Sequence, residues 1–249
     1  SDQTFSVQDR NLGATSAEKG KEDWYARVDE SIGLHYQWGR KDPFRGSSSI
    51  NDNVLTETTI EWPGRVESNS TNGTIEYSVS NPTTFISVNY TNYDWYYTGE
   101  TTTNNTRWNS TKTIYDPCPI GWRVPDGGTG NIWEKADFAN TYIYDSNLKG
   151  YTFFNAQNSW YPLTGCLSYN YAELESVGYD GGAWSCTPLN DYSVYELQLN
   201  TSSRYTSHEC TSRGYGQAVR CIKDENYEDI TLPDIPFENL TDITATSAK

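Results

Sequence analysis

Apolar residues in this chain fall in short periodic runs separated by long polar stretches. Leu34, Tyr36 and Trp38 alternate between Gly33 and Arg40, the two-residue period of a buried strand, and Asp42-Pro43 stops it. Ile75, Tyr77 and Val79 form a second alternating piece and Ile86, Val88 and Tyr90 a third, with Asn81-Pro82 marking a turn or change of direction between them. These two interrupt a stretch from Ser47 to Thr113 rich in Ser, Thr and Asn. It carries isolated Trp62, Trp95 and Trp108, the pattern of long ordered loops pinned by single aromatics. The charged stretch Ala17 to Glu30 predicts a short helix around Trp24, Tyr25 and Val28. A further helix is predicted over Ile132 to Tyr142, where Trp133, Ala136, Phe138 and Ala139 lie near helical spacing. Tyr195, Leu197 and Leu199 alternate, as do Val219 and Cys221, so the C-terminal third ends in short strands. Beyond Asp224 the chain is acidic, holds Pro233 and Pro236, and has few apolar residues, which is linker composition. The expected organisation is one domain over residues 1–224 and an acidic linker or tail over 225–249.

Composition turns this outline toward recognition. Of 249 residues 35% are hydrophobic, enough to close a core, yet Met is absent and Tyr alone supplies 20. Much of the apolar surface therefore carries a hydroxyl that prefers a wet edge. Lys and Arg number 18 against 33 Asp and Glu, a formal charge of -15, so a phosphate backbone is repelled and nucleic acid is not an expected partner. The basic pairs Lys19/Lys21 and Arg40/Lys41 are flanked by acids and read as solvated surface. No apolar run is long enough to span a membrane, and Ser1-Asp2-Gln3 does not open a signal peptide, so the chain reads as a mature or trimmed fragment.

Cys118, Cys166, Cys186, Cys210 and Cys221 show no C-x-x-C spacing, which argues against zinc or thioredoxin-like chemistry, and their odd number leaves one thiol unpaired in a monomer. N-x-S/T sequons begin at Asn69, Asn72, Asn89, Asn104, Asn109, Asn200 and Asn239, and in a chain this rich in Asn and Thr many arise from composition alone.

Five ordered motifs carry a resemblance. They are DRNLGA (Asp9 to Ala14), YQWGRKDPF (Tyr36 to Phe44), NPTTFI (Asn81 to Ile86), YDPCPIGWRVP (Tyr115 to Pro125) and AVRCIKD (Ala218 to Asp224). Together they resemble the major-paralogous-domain family of Bacteroidetes surface proteins, related in fold to formylglycine-generating enzymes. The resemblance implies an α+β, C-type-lectin-like domain with small twisted antiparallel sheets, one or two helices and long ordered loops. It implies a Cys118–Cys221 disulfide, and a setting on secreted lipoproteins, adhesins or pilus-associated proteins. Related domains also serve as variable proteins of diversity-generating retroelements, in which copying errors at adenines scatter Asn, Tyr, Ser and similar residues over one face.

The segment Cys166 to Tyr215 has that composition. Its candidate ligand-binding residues are Ser168, Tyr169, Asn170, Tyr179, Asp180, Asn190, Asp191, Tyr192, Arg204, Tyr205, His208 and Tyr215, placed on loops. Tyr gives rigid amphipathic area at low entropic cost, and Asn and Ser give adaptable hydrogen bonds. The plainer reading is a set of polar surface loops, with Cys166, Cys186 and Cys210 holding one extra disulfide and one free thiol. Calcium-dependent sugar binding needs clustered oxygen ligands. Asp180 and Asn190-Asp191 are candidates, but no Glu-Pro-Asn, Gln-Pro-Asp or Trp-Asn-Asp triplet accompanies them. His35 is expected in a core strand and His208 in a loop.

The expected function is a secreted or surface-displayed adhesin or receptor-binding module for a protein or glycan ligand, without catalysis or cofactor, at the bacterial cell surface. The alternatives are a formylglycine-generating-like copper or cysteine oxidase, with Cys210 paired to Cys221 or Cys186, and a carbohydrate-binding module of a larger surface protein. An oxidase needs an activated thiolate, and fold kinship alone does not carry activity.

Overall fold

In the computed structural model the described residues are 6–18, 29–55, 59–61, 64–88, 93–97, 99, 106–154, 159–210 and 212–227. The helix expected around Trp24, Tyr25 and Val28, and also Trp62, Tyr90 and the tail from residue 228, lie outside them. In chain order the elements are α1 (Asp29–Ile32), β1 (His35–Gln37), β2 (Arg65–Glu67), α2 (Ile75–Ser80), β3 (Phe85–Ser87), β4 (Trp122–Arg123), α3 (Ile132–Lys135), β5 (Tyr142–Asp145), β6 (Gly150–Phe153), β7 (Ser159–Pro162), β8 (Cys166–Leu167), β9 (Leu174–Glu175), β10 (Asp180–Pro188), β11 (Val194–Asn200), β12 (Arg204–Cys210), β13 (Gly216–Ala218) and β14 (Ile222–Lys223).

A seven-stranded sheet dominates, in the order β12-β11-β10-β13-β8-β9 with β1 also on β13, and three smaller sheets, β5-β6-β7, β2-β3 and β4-β14, surround it. The chain is thus mostly β, with helices of four to six residues. This corrects the α+β, C-type-lectin-like expectation. The apolar stripe that suggested a helix over Ile132 to Tyr142 is interrupted. Asn131 caps α3 by accepting from the Trp133 and Glu134 amides, but Asp137 takes a left-handed φ of 54° and ends the run, and Tyr142 already belongs to β5. Conversely, the alternation at Ile75, Tyr77 and Val79 lies on a helix. The Thr74 side chain accepts from the Tyr77 amide, Ile75 and Tyr77 lean on the Trp95 cluster, and Val79 is exposed.

Alternation in β10 and β11 serves two cores. Ala183, Leu197 and Leu199 join Trp133, Phe138, Phe153 and Tyr161 under the three-stranded sheet, where the Phe138 and Phe153 rings stack at 3.7 Å. Trp184 and Val194 join Trp38, Trp108 and the Cys118–Cys221 disulfide, which closes a sequence separation of 103 residues. Trp38 Nε1 donates to Ser185 O at 2.9 Å and Trp184 Nε1 to Tyr36 O at 2.7 Å, so the two indoles lock β1 to β10 and satisfy their own donors.

Arginine supplies a part of the core that the charge pattern hid. Arg40, expected on solvated surface, is 2% exposed. It donates to Gln37 Oε1 at 3.0 Å and Thr84 O at 2.8 Å, a correction that follows from the NPTTFI turn folding over it. No helix among the described residues is long and apolar enough to cross a membrane.

Candidate functional site

The segment expected to form loops is mainly strand: β10, β11 and β12 form a continuous antiparallel run, with β8 and β9 beyond β13. Into one face of this sheet sinks a cavity of about 420 Å³. Its lining draws on nearly every strand: Cys166 from β8, Glu175 from β9, Asp180 from β10, Glu196 and Gln198 from β11, His208, Glu209 and Cys210 from β12, and Tyr215 and Gln217 at β13.

The floor is set by register. Glu196 and His208 are direct cross-strand partners, which brings His208 Nδ1 to 3.0 Å from Glu196 Oε1. Gln217 Nε2 donates to the other carboxylate oxygen. Glu196 is 3% exposed, and burial raises its pKa against the opposing pull of His208 and Gln217. The three thiols outside the disulfide are free, Cys186 and Cys210 buried and Cys166 partly so. Burial pushes the Cys166 thiol up to about 12 and drives Cys186 and Cys210 upward as well. Cys221 is committed to Cys118, so it is no partner for Cys210.

Leading away from the cavity is a chain of tyrosine rings. Tyr215 meets Tyr169 edge-on at 4.9 Å, Tyr169 lies 6.1 Å from Tyr93, and Tyr93 lies 6.0 Å from Tyr192. Tyr192 is 48% exposed. Tyr205, half exposed, sits 5.7 Å from the ring of His208, a lining residue.

A buried ion cluster holds this chain in place. Asp94 pairs with Arg107 and lies 3.4 Å from Arg213, all three fully buried, and both guanidinium groups lie over Trp38, at 5.0 and 4.6 Å. Arg213 also donates to Asn190 O, and the Asn190 side chain accepts from the Tyr192 and Ser193 amides at 3.0 and 2.8 Å, so one arginine ties down the turn that presents Tyr192. Next to Asp94, Tyr93 adopts a left-handed φ of 44°, uncommon for a bulky residue, while its carbonyl accepts from Gly214 N at 3.0 Å and Ser212 Oγ at 2.7 Å. Burial lowers the Arg213 pKa to about 10 even with Asp94 beside it.

The expected site residues thus divide. Asp180, His208 and Tyr215 line the cavity, Tyr205 stands beside it, and Tyr169 and Tyr192 belong to the ring chain, with Asn190 shaping the turn and Asp191 exposed on it. Four others stand apart. Ser168 is buried and accepts from the Glu173 amide at 3.1 Å, and the Asn170 carbonyl accepts from Arg65. Tyr179 is exposed near Lys149, whose Nζ is 6.0 Å from its ring, and Arg204 covers the Tyr142 ring at 3.7 Å in another part of the molecule. Tyr93, Glu175, Glu196 and Gln217 were not anticipated. Glu196 falls on the polar side of the Tyr195, Leu197 and Leu199 alternation, so no local signal marks it as buried, and nothing local ties Tyr93 to a segment more than seventy residues later.

The oxygens considered for calcium are split between the cavity (Asp180) and the β10–β11 turn (Asn190, Asp191). Among the described residues no group of three or more His, Cys, Asp and Glu is arranged to hold a metal ion. No protein-family model, no curated protein and no solved structure matches the chain, so no neighbour connects its fold to the C-type lectins.

Proposed function

We propose that this chain is a ligand-binding module, secreted or displayed on a bacterial surface, whose contact surface is the tyrosine chain and the cavity it leads into. The observation that carries this reading is the unbroken ring contact Tyr192–Tyr93–Tyr169–Tyr215, running from a half-exposed turn to a cavity wall. A core has no need to spend a buried Arg–Asp–Arg cluster on presenting a surface tyrosine, whereas a recognition surface gains from rings fixed before the ligand arrives. The high pKa values of the free thiols favour binding over thiolate chemistry, because the nucleophile of an oxidase must be ionised near neutral pH. The partner in this reading is a protein or glycan on another cell, and the chain serves as part of a larger surface lipoprotein or pilus-associated protein.

The test is a combined glycan-array and surface-protein binding screen of the wild type and a Tyr93→Ala/Tyr169→Ala/Tyr192→Ala variant, with circular dichroism to confirm that both are folded. A folded variant is expected to lose the interactions that the wild type shows. Retention of every one of them sinks the reading.

A further inference from the structure

The cavity has a charge pattern that selects its occupant. Four of its lining residues are carboxylates, Glu175, Asp180, Glu196 and Glu209, and none is Lys or Arg. Glu196 is engaged at the floor by His208 and Gln217, Glu175 is exposed and Asp180 half-buried on the walls, and Glu209, paired with Tyr195 across the strands, contributes its backbone side to the rim. Burial raises the Asp180 carboxyl, the mark of a carboxylate short of solvation, which gains when a cation arrives. The Cys166 thiol, with no hydrogen bond among the described residues, adds a soft, uncharged wall.

Elsewhere the chain shows what it sets against such rings. Arg204 lies over Tyr142 at 3.7 Å, Arg220 over Tyr161 at 3.5 Å, and Arg107 over Trp95 at 4.7 Å. In each case a guanidinium from the chain itself meets an aromatic face. At the cavity Tyr215 and the carboxylates are in place, and the lining holds no Lys or Arg. The volume, about 420 Å³, lies near the lower end of the roughly 300–1,000 Å³ typical of ligand pockets, which suits one long side chain. A formal charge of -15 over the chain favours approach of a basic partner and opposes an acidic one.

We infer that this face docks a basic segment of a partner protein. One lysine or arginine side chain enters the cavity, its cation between Glu175 and Asp180 and its stem against Tyr215, while flanking residues lie across Tyr169, Tyr93 and Tyr192. The inference rests on the binding-module reading and names its partner by chemistry.

Fluorescence anisotropy on the full chain tests it, using short dye-labelled Gly/Ser/Tyr peptides that differ only in a central arginine, lysine or citrulline, the last an uncharged isostere of arginine. The arginine and lysine peptides are expected to bind, more weakly as salt rises. The citrulline peptide is expected to bind roughly tenfold more weakly or worse, and Glu175→Gln/Asp180→Asn to cost the arginine peptide a similar factor. Glu175 is exposed and Asp180 half-buried, and circular dichroism checks that the variant keeps its fold. Equal affinity for arginine and citrulline, no binding by any of the peptides, or an arginine preference that survives the double substitution overturns the inference. The same double variant, run in the glycan and protein screen, separates the two failures. Partners lost by the tyrosine variant but kept by the amide variant overturn the cationic partner alone, whereas partners kept by both overturn the binding surface itself.

Discussion

Two tyrosine clusters in this molecule use the same residue to different ends. In the three-stranded sheet, Tyr142 and Tyr144 lie 5.6 and 4.9 Å from Tyr151, the Tyr151 hydroxyl donates to Asn200 O at 2.6 Å, and Arg204 covers the Tyr142 ring at 3.7 Å. That cluster is complete, because the chain provides its hydrogen-bond acceptor and its cation. On the seven-stranded sheet, Tyr192, Tyr93, Tyr169 and Tyr215 run together into a cavity whose walls are acidic and whose lining includes no Lys or Arg. The difference shows that tyrosine content does not by itself mark a binding surface. The two clusters differ in what the chain sets beside them, a guanidinium at the first and carboxylates at the second.

The contrast can be broken at the residues that maintain it. The largest effect is expected from Asp94→Ala, which leaves the buried Arg107 and Arg213 without their shared counter-charge. Urea denaturation should show a loss of about 3–5 kcal/mol, and an unchanged midpoint would mean that the ion cluster does not anchor Tyr93. A smaller, pH-dependent loss tests how dry the cavity floor is. Cys210, which lines the cavity, and Cys186, in the same core cluster, have raised pKa values, so above about pH 9 the unfolded thiols ionise while the native ones keep their protons. The unfolded state then binds fewer protons, and stability should fall by about 1.4 kcal/mol per pH unit for each thiol. Urea melts between neutral and alkaline pH should show a shallower decline for Cys210→Ser, and an identical slope would place that thiol in water. The smallest effect on stability is expected from Arg204→Ala, about 1–2 kcal/mol from lost ring contacts, with ligand binding unchanged. If that variant instead loses binding in the screen, the division between closed and open clusters does not hold.

Local patterns carried some of this structure. The strand at His35–Gln37 and the alternation of β11 follow from side-chain period, and the cysteines that the resemblance pairs are joined. Where period misled, a local backbone feature decided. The left-handed Asp137 cut short the helix at Ile132, and the Thr74 cap turned an alternating triplet into helix. The resemblance to an α+β lectin-like domain did not survive, because motifs that fix turns and a disulfide do not fix how strands assemble into sheets.

The sequence by itself determined that this chain is acidic, rich in tyrosine, and concentrated in Tyr, Asn and Cys between Cys166 and Tyr215. Only the tertiary structure decided which of those residues act together. Glu196 meets His208 across 12 positions and Gln217 across 21, and Asp94 reaches Arg213 across 119. The reason is physical: periodicity reports which side of a strand is buried, but strand register and chain crossings choose what it is buried against, and those depend on contacts that no local window of sequence contains.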